Sequence, residues 1–154
     1  MTPPRVEAQE VQPPSLEAVQ SVLQAAKRGP YHLALLLCLV TGARRSEVCG
    51  LQWGDLDWKA GTVRIERGIH IVKGRGLITQ PPKTRNSRRV AALPLSVVLA
   101  LRARLERREA EAASLGRPVA LTDYILGGPD GRPLYPNTLS IVYRKLARAA
   151  GLPS

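Results

Sequence analysis

Two adjacent arginines, Arg44 and Arg45, follow a long apolar run in the stretch TGARRSEVCGLQW, and Glu47 lies three residues beyond the first of them. A guanidinium is planar and permanently charged, and it binds phosphate or carboxylate oxygens in a directed way. A glutamate one helical turn away can reach back to such an arginine. The spacing therefore predicts a short helix over roughly 44–51, with Arg44 at its start as an anion-binding side chain.

The charge balance indicates an anionic partner. The 154 residues contain 23 Lys and Arg against 12 Asp and Glu, which gives a net charge of +11 and a pI near 10.6. Because arginine supplies most of the excess, nucleic acid ranks above a membrane surface. The chain has two Trp, four Tyr and no Phe, so contact with a duplex backbone is favoured over base stacking.

No metal or cofactor site is expected from the cysteines and histidines. Cys38 and Cys49 form no CxxC pair and have no histidine at zinc-ligand spacing, so we interpret both as buried thiols. His32 and His70 are interpreted as structural histidines with satisfied hydrogen bonds. The longest apolar run, LALLLCLV, is too short to cross a bilayer, and a cytoplasmic protein without membrane contact is expected.

The elements around the two arginines read as one α+β domain after a proline-rich tail at residues 1–14. SLEAVQSVLQAAKRG predicts an amphipathic helix capped by Ser15, and YHLALLLCLV predicts a helix buried on all sides that ends at Thr41 and Gly42. The β-rich runs TVRIERGIHIV, GLITQPPKT and RRVAALP predict a small antiparallel sheet of about three strands. Two further helices follow, and we interpret the charged stretch 102–109 in the first of them as a solvated face.

The stretch LLLCLVTGARRSEVCGLQWGDLDW resembles the first catalytic arginine motif of the tyrosine recombinases, or phage integrase family. That motif runs from a buried helix through Thr-Gly-x-Arg to an acidic residue three positions later, and then to Gly-Leu-x-Trp and an acidic turn. PPKTRNSRRVAALP resembles the family's β-hairpin, in which Lys-Thr opens a strand. The resemblance covers roughly residues 14–154 and implies part of a catalytic domain at 15–154.

The resemblance also implies roles for individual residues. Members of the family break DNA by attack of a tyrosine hydroxyl on a phosphodiester, without a metal ion or nucleotide. Arg44 corresponds to the guanidinium that stabilises charge on the nonbridging oxygens, and Lys83 to the general acid that protonates the leaving 5′-oxygen. Glu47 corresponds to the residue that orients Arg44 by a charge-assisted hydrogen bond.

One of these assignments has a competitor. Lys73, in IVKGRG, lies in the same β region, and some relatives place the catalytic lysine in a Gly-Lys-Gly turn. Lys83 is preferred because the residues after it continue the pattern. The other basic residues near the motifs are expected to contact the DNA backbone, and with Lys73 they are Arg45, Arg85, Arg88 and Arg89.

The family's His-x-x-Arg box and nucleophilic tyrosine have no match in these 154 residues. None of Tyr31, Tyr124, Tyr135 and Tyr143 follows such a box, so none is assigned as a nucleophile. We therefore expect a fragment of a DNA recombinase that binds double-stranded DNA but does not cleave it, and that self-associates through exposed apolar surface. The alternatives are a noncatalytic DNA-binding or regulatory module on the same scaffold and, less favoured, an RNA-associated basic domain.

Overall fold

The computed structural model describes residues 15–27, 29–81 and 88–152. The predicted α+β class, mostly helical with a small antiparallel β component, is confirmed. A single 3₁₀ turn, Trp53–Asp55, precedes the first strand. The other elements, in chain order, are α1 (Leu16–Ala26), α2 (His32–Thr41), α3 (Arg45–Cys49), β1 (Leu56–Asp57), β2 (Thr62–Ile65), β3 (Gly68–Val72), β4 (Gly76–Gln80), β5 (Arg89–Ala92), α4 (Leu95–Ser114) and α5 (Pro136–Ala149).

Capping residues set the ends of the first two helices where the sequence predicts them. Ser15 Oγ accepts a hydrogen bond from the Ala18 N–H at 3.2 Å, which caps α1. Gly42 ends α2 in the left-handed conformation, with φ of 65°, and its N–H donates to the Cys38 carbonyl at 3.0 Å. The chain therefore turns sharply between the apolar α2 and the arginine pair.

The strands form two separate sheets, which differs from the predicted single sheet of about three strands. β2 pairs antiparallel with both β1 and β5, so that Val63 lies opposite Leu56 and Ala91. Among the described residues, β3 pairs with β4 alone, as an antiparallel hairpin. The run TVRIERGIHIV is thus broken at Glu66 and Arg67, where the Arg67 side chain binds groups outside the sheets.

The core lies between α2, α3, α4 and the two sheets. Leu37, Val48, Val63, Ile69 and Leu101 are each 0–1% exposed. Burial of one such side chain contributes about 1.5–3 kcal/mol. The short helix α3 is therefore held against a packed interior, although five residues would not form a stable helix alone.

Two expectations about helix faces hold only in part. Helix α2 is not buried on all sides, because α1, α2 and α5 leave a groove of about 590 Å³ between them and Leu39 is 53% exposed. In α4, the stretch 102–109 is not uniformly solvated, because Arg108 is buried and Arg104 is half-buried. Both arginines turn inward to bind backbone carbonyls of the segment that follows α4.

Within the three described ranges, no helix combines the length and the apolar composition that crossing a membrane would require.

Candidate functional site

Glu47 stabilises the start of α3. Its Oε2 accepts the Arg44 backbone N–H at 2.9 Å and a hydrogen bond from Arg89 Nη2 at 3.2 Å, while the residue is only 8% exposed. The carboxylate therefore contacts Arg44 through the main chain, whereas the sequence predicted a bond to the guanidinium. Because Arg89 is on β5, the same contact joins the start of α3 to the three-stranded sheet.

A second arginine stabilises the end of α3. Arg67 binds both oxygens of Asp55, with Nη1–Oδ2 at 2.5 Å and Nη2–Oδ1 at 3.1 Å, and Nη1 also donates to the Gly50 carbonyl at 3.1 Å. Asp55 Oδ2 in turn accepts the Gln52 N–H at 2.8 Å. A Cβ on Gly50 would lie 2.8 Å from the Arg67 carbonyl oxygen, so only glycine permits this close approach.

Arg44 itself is exposed at the N-cap of α3. No carboxylate of the described residues forms an ion pair with its guanidinium. The backbone beneath it is fixed at both ends of α3, and the charged group faces solvent. A guanidinium placed in this way can bind a phosphate with little reorganisation of the protein.

Arg45 occupies a different environment from Arg44. Its Nη1 donates to Ser140 Oγ, so the side chain joins α3 to α5. It also lines the apolar groove between α1, α2 and α5. The structure thus gives Arg45 a packing role, and its contact with DNA stays a prediction.

The structure describes only some of the other basic residues that were predicted to act at the site or to contact DNA. Lys73 is exposed in the turn between β3 and β4, and Arg88 is exposed immediately before β5. Arg89 is partly covered by its contact with Glu47. Lys83 and Arg85 lie outside the described residues, so the choice between Lys83 and Lys73 as general acid stays a prediction.

The described cysteines and acidic residues offer no metal site. In the part of the chain that the structure describes, no group of three or more His, Cys, Asp or Glu is placed to hold a metal ion. Cys38 and Cys49 are free thiols, and burial raises the pKa of Cys49 to about 12, with the nearby Cys38 adding to the shift. Cys49 is therefore protonated and unreactive near neutral pH.

Sequence reasoning missed Arg67. The only signal is a charged pair, Glu66 and Arg67, that interrupts an apolar alternating run, and its partner Asp55 lies twelve positions earlier. Such a pattern is equally typical of an exposed strand end, because charged residues are common at the surface.

The family model described as the phage integrase family matches residues 15–154. The chain belongs to this family. A XerC-like tyrosine recombinase of Caldanaerobacter subterraneus subsp. tengcongensis is 30% identical over 156 residues, which cover 94% of this chain and 40% of that protein. The type 1 fimbriae regulatory protein FimB of Escherichia coli K12 is 40% identical over 53 residues, or 32% of this chain and 26% of FimB.

Solved structures show the same fold. A Tn1549 transposon integrase in complex with a circular intermediate DNA matches with a TM-score of 0.72 at 19% identity, over 93% of this chain and 47% of that one. The XerA recombinase matches with a TM-score of 0.68 at 18% identity, over 99% and 47%. The chain therefore has the fold of part of a phage integrase family protein, and it spans less than half the length of these relatives.

Proposed function

We propose that this chain carries the part of a tyrosine recombinase catalytic domain that holds the first arginine and the lysine, and that it binds double-stranded DNA through the phosphate backbone. In that role Arg44 binds the phosphate that reacts, and Lys83 protonates the leaving 5′-oxygen. The parent activity is site-specific strand exchange through a phosphotyrosyl link. The 154 residues alone bind DNA without cleaving it.

The observation that carries this proposal is the contrast between the Arg44 side chain and its backbone. The guanidinium is exposed, while Glu47 and Arg67 hold the two ends of the helix that bears it. A purely structural arginine would bind a carboxylate or carbonyl of its own chain, as Arg67 does. The arrangement supports a phosphate supplied from outside the protein.

Charge and the relatives support DNA as the source of that phosphate. The net charge is +11, and Lys73, Arg75 and Arg88 are exposed. The Tn1549 integrase was solved with DNA, and a lambda integrase of the same fold was solved as a tetramer bound to a Holliday junction. We extend both properties, DNA binding and self-association, to this chain as part of the proposal, while a cytoplasmic location stays a prediction.

A salt series tests the DNA contact. The affinity for a labelled duplex, measured by fluorescence anisotropy, should fall linearly with salt on logarithmic axes, because bound phosphates release counterions. Arg44→Gln should reduce the magnitude of that slope by about 1. Arg148→Gln removes the same charge from an exposed position on α5 and serves as the matched control. A flat salt response in the wild-type chain would contradict DNA binding.

The recombinase role and the noncatalytic regulatory role predict different results for Arg44→Gln. Steep salt dependence that Arg44→Gln leaves unchanged would favour the noncatalytic regulatory module, because that module does not need the arginine. Incubation with a nicked suicide substrate should give no covalent adduct. An adduct mapped to Tyr31, Tyr124, Tyr135 or Tyr143 would show that the chain supplies its own nucleophile.

A further inference from the structure

An open cavity of about 930 Å³ lies at the N-terminal end of α2, opposite the end that leads to Arg44. Its walls are the first turn of α2, the middle of α4 and parts of the segment 126–135. Helix α2 has ten residues, so its two ends are roughly 15 Å apart. Arg44 does not line this cavity, which is therefore separate from the proposed DNA contact.

The residues around the cavity carry an excess of positive charge. Lys27, Arg104, Arg107 and Arg108 line it, against one carboxylate, Glu111. Burial, and then the charges of Arg108 and Arg107, lower the pKa of Arg104 to about 10. The guanidinium groups of α4 thus repel one another, and an anion between them would offset that repulsion.

Arg108 has a buried donor without a partner. The residue is 8% exposed, Nη2 donates to the Gly127 carbonyl at 2.5 Å, and Nη1 binds Glu111 at 3.0 Å. Its Nε has no hydrogen-bond partner among the described residues. A buried donor left unpaired costs about 1–3 kcal/mol, more when it is charged, so an arginine in the wall of the cavity lacks one of its hydrogen bonds.

The first turn of α2 adds further donors at the same place. Tyr31 is the N-cap of α2, but its side chain makes no capping hydrogen bond. The first backbone hydrogen bond of the helix is donated by the Leu35 N–H to the Tyr31 carbonyl at 3.1 Å. The amides of His32, Leu33 and Ala34 precede it, and these residues line the cavity. His32 Nδ1 is also buried without a described partner, contrary to the expectation of a satisfied histidine.

We propose that this cavity binds a small phosphate-bearing ligand, held by the first-turn amides of α2 together with Arg107 and Arg108. Helix N-termini bind phosphate through free amides and a partial positive charge, and arginine adds directed donors. A volume of about 930 Å³ is within the range of small-molecule sites, so there is room for an organic group beside the phosphate. Tyr31 and Tyr135 line the same space, so aromatic side chains are also available to contact that group.

Isothermal titration of the full 154-residue chain tests the proposal with three probes: inorganic phosphate, AMP and adenosine. Inorganic phosphate and AMP should bind, and adenosine should not. Tighter binding of AMP would identify an organic phosphate as the ligand, and equal affinities would identify the free anion. Arg107→Gln should weaken phosphate binding about tenfold, because it removes an exposed charged donor with no described hydrogen bond or ion pair.

Two controls locate the binding. Arg148→Gln removes the same charge from an exposed position on α5 outside the cavity and should leave the affinity unchanged. In amide NMR spectra, phosphate should shift the signals of His32, Leu33 and Ala34. Three results would overturn the proposal: no binding at millimolar phosphate, equal affinity in Arg107→Gln and wild type, or loss of the signal in Arg44→Gln alone. The last result would place the phosphate at α3 and leave the proposed DNA contact intact.

Discussion

The two ends of α2 use arginines in different ways. Beyond the C-terminal end of α2, Arg44 is exposed to solvent. Two other arginines, Arg67 and Arg89, stabilise α3. At its N-terminal end, Arg104 and Arg108 line the cavity and also donate to the backbone carbonyls of the segment after α4. In the two proposals, binding and stability are carried by separate residues at the α3 end, whereas at the cavity end Arg108 carries both.

This difference determines what a substitution can reveal. At the α3 end, removing Arg44 should change binding without changing the fold, and removing Arg67 should do the reverse. Of the three arginines that line the cavity, only Arg107 can be removed without loss of a described hydrogen bond or ion pair. Measurements of stability therefore test whether the two ends differ as described.

The largest loss of stability is expected from Arg67→Ala. It leaves Asp55, 4% exposed, as a buried carboxylate without its partner, and breaking a buried pair from one side costs about 3–5 kcal/mol. Urea unfolding followed by circular dichroism measures the loss. Arg64→Ala is the matched control, because its ion pair with Glu66 at 3.9 Å is exposed and should contribute less than about 1 kcal/mol.

Arg67→Lys keeps the charge but loses the two-oxygen contact with Asp55. Should Arg67→Ala fail to fold, this variant should still fold and show an intermediate stability. A value for Arg67→Ala within about 1 kcal/mol of wild type would contradict the role given to this pair.

A smaller loss is expected at the cavity end from Arg108→Ala. The substitution removes the donor to the Gly127 carbonyl and the partner of Glu111, and an unpaired buried acceptor costs about 1–3 kcal/mol. Arg107→Ala, one residue earlier and exposed, should stay within about 0.5 kcal/mol of wild type. Equal losses from these two neighbours, measured by the same unfolding curves, would show that the cavity arginines do not have separate roles.

Much of the fold around Arg44 could be predicted from local sequence. Ser15 caps the start of α1 with its side chain and Gly42 ends α2 with its left-handed backbone, and those signals act within a few residues. The break at Arg67 was not predicted, because it depends on Asp55 and Gly50, which only the tertiary fold brings near. Local propensity favours one continuous strand through this region.

The candidate site, like the fold, could be predicted from the sequence only in part. The motif identified Arg44 and Glu47 as neighbours, but not that their contact uses the Arg44 backbone and leaves the guanidinium exposed. The inward turn of Arg104 and Arg108 could not be predicted, because a helix with charges of both signs has the same pattern whether its arginines meet water or carbonyl oxygens. Only the position of the segment after α4 decides between the two.

The smallest effect distinguishes the two adjacent arginines. Arg45→Gln loses the hydrogen bond that joins α3 to Ser140 on α5, which at an exposed position should cost about 0.5–1 kcal/mol. Arg44→Gln should stay within about 0.5 kcal/mol of wild type in unfolding measurements, because its guanidinium has no described ion pair. The DNA affinity should show the opposite order, with the greater loss in Arg44→Gln. If Arg44→Gln destabilises the chain more than Arg45→Gln does, the Arg44 guanidinium contributes to the fold, and the separation of binding from stability at α3 is wrong.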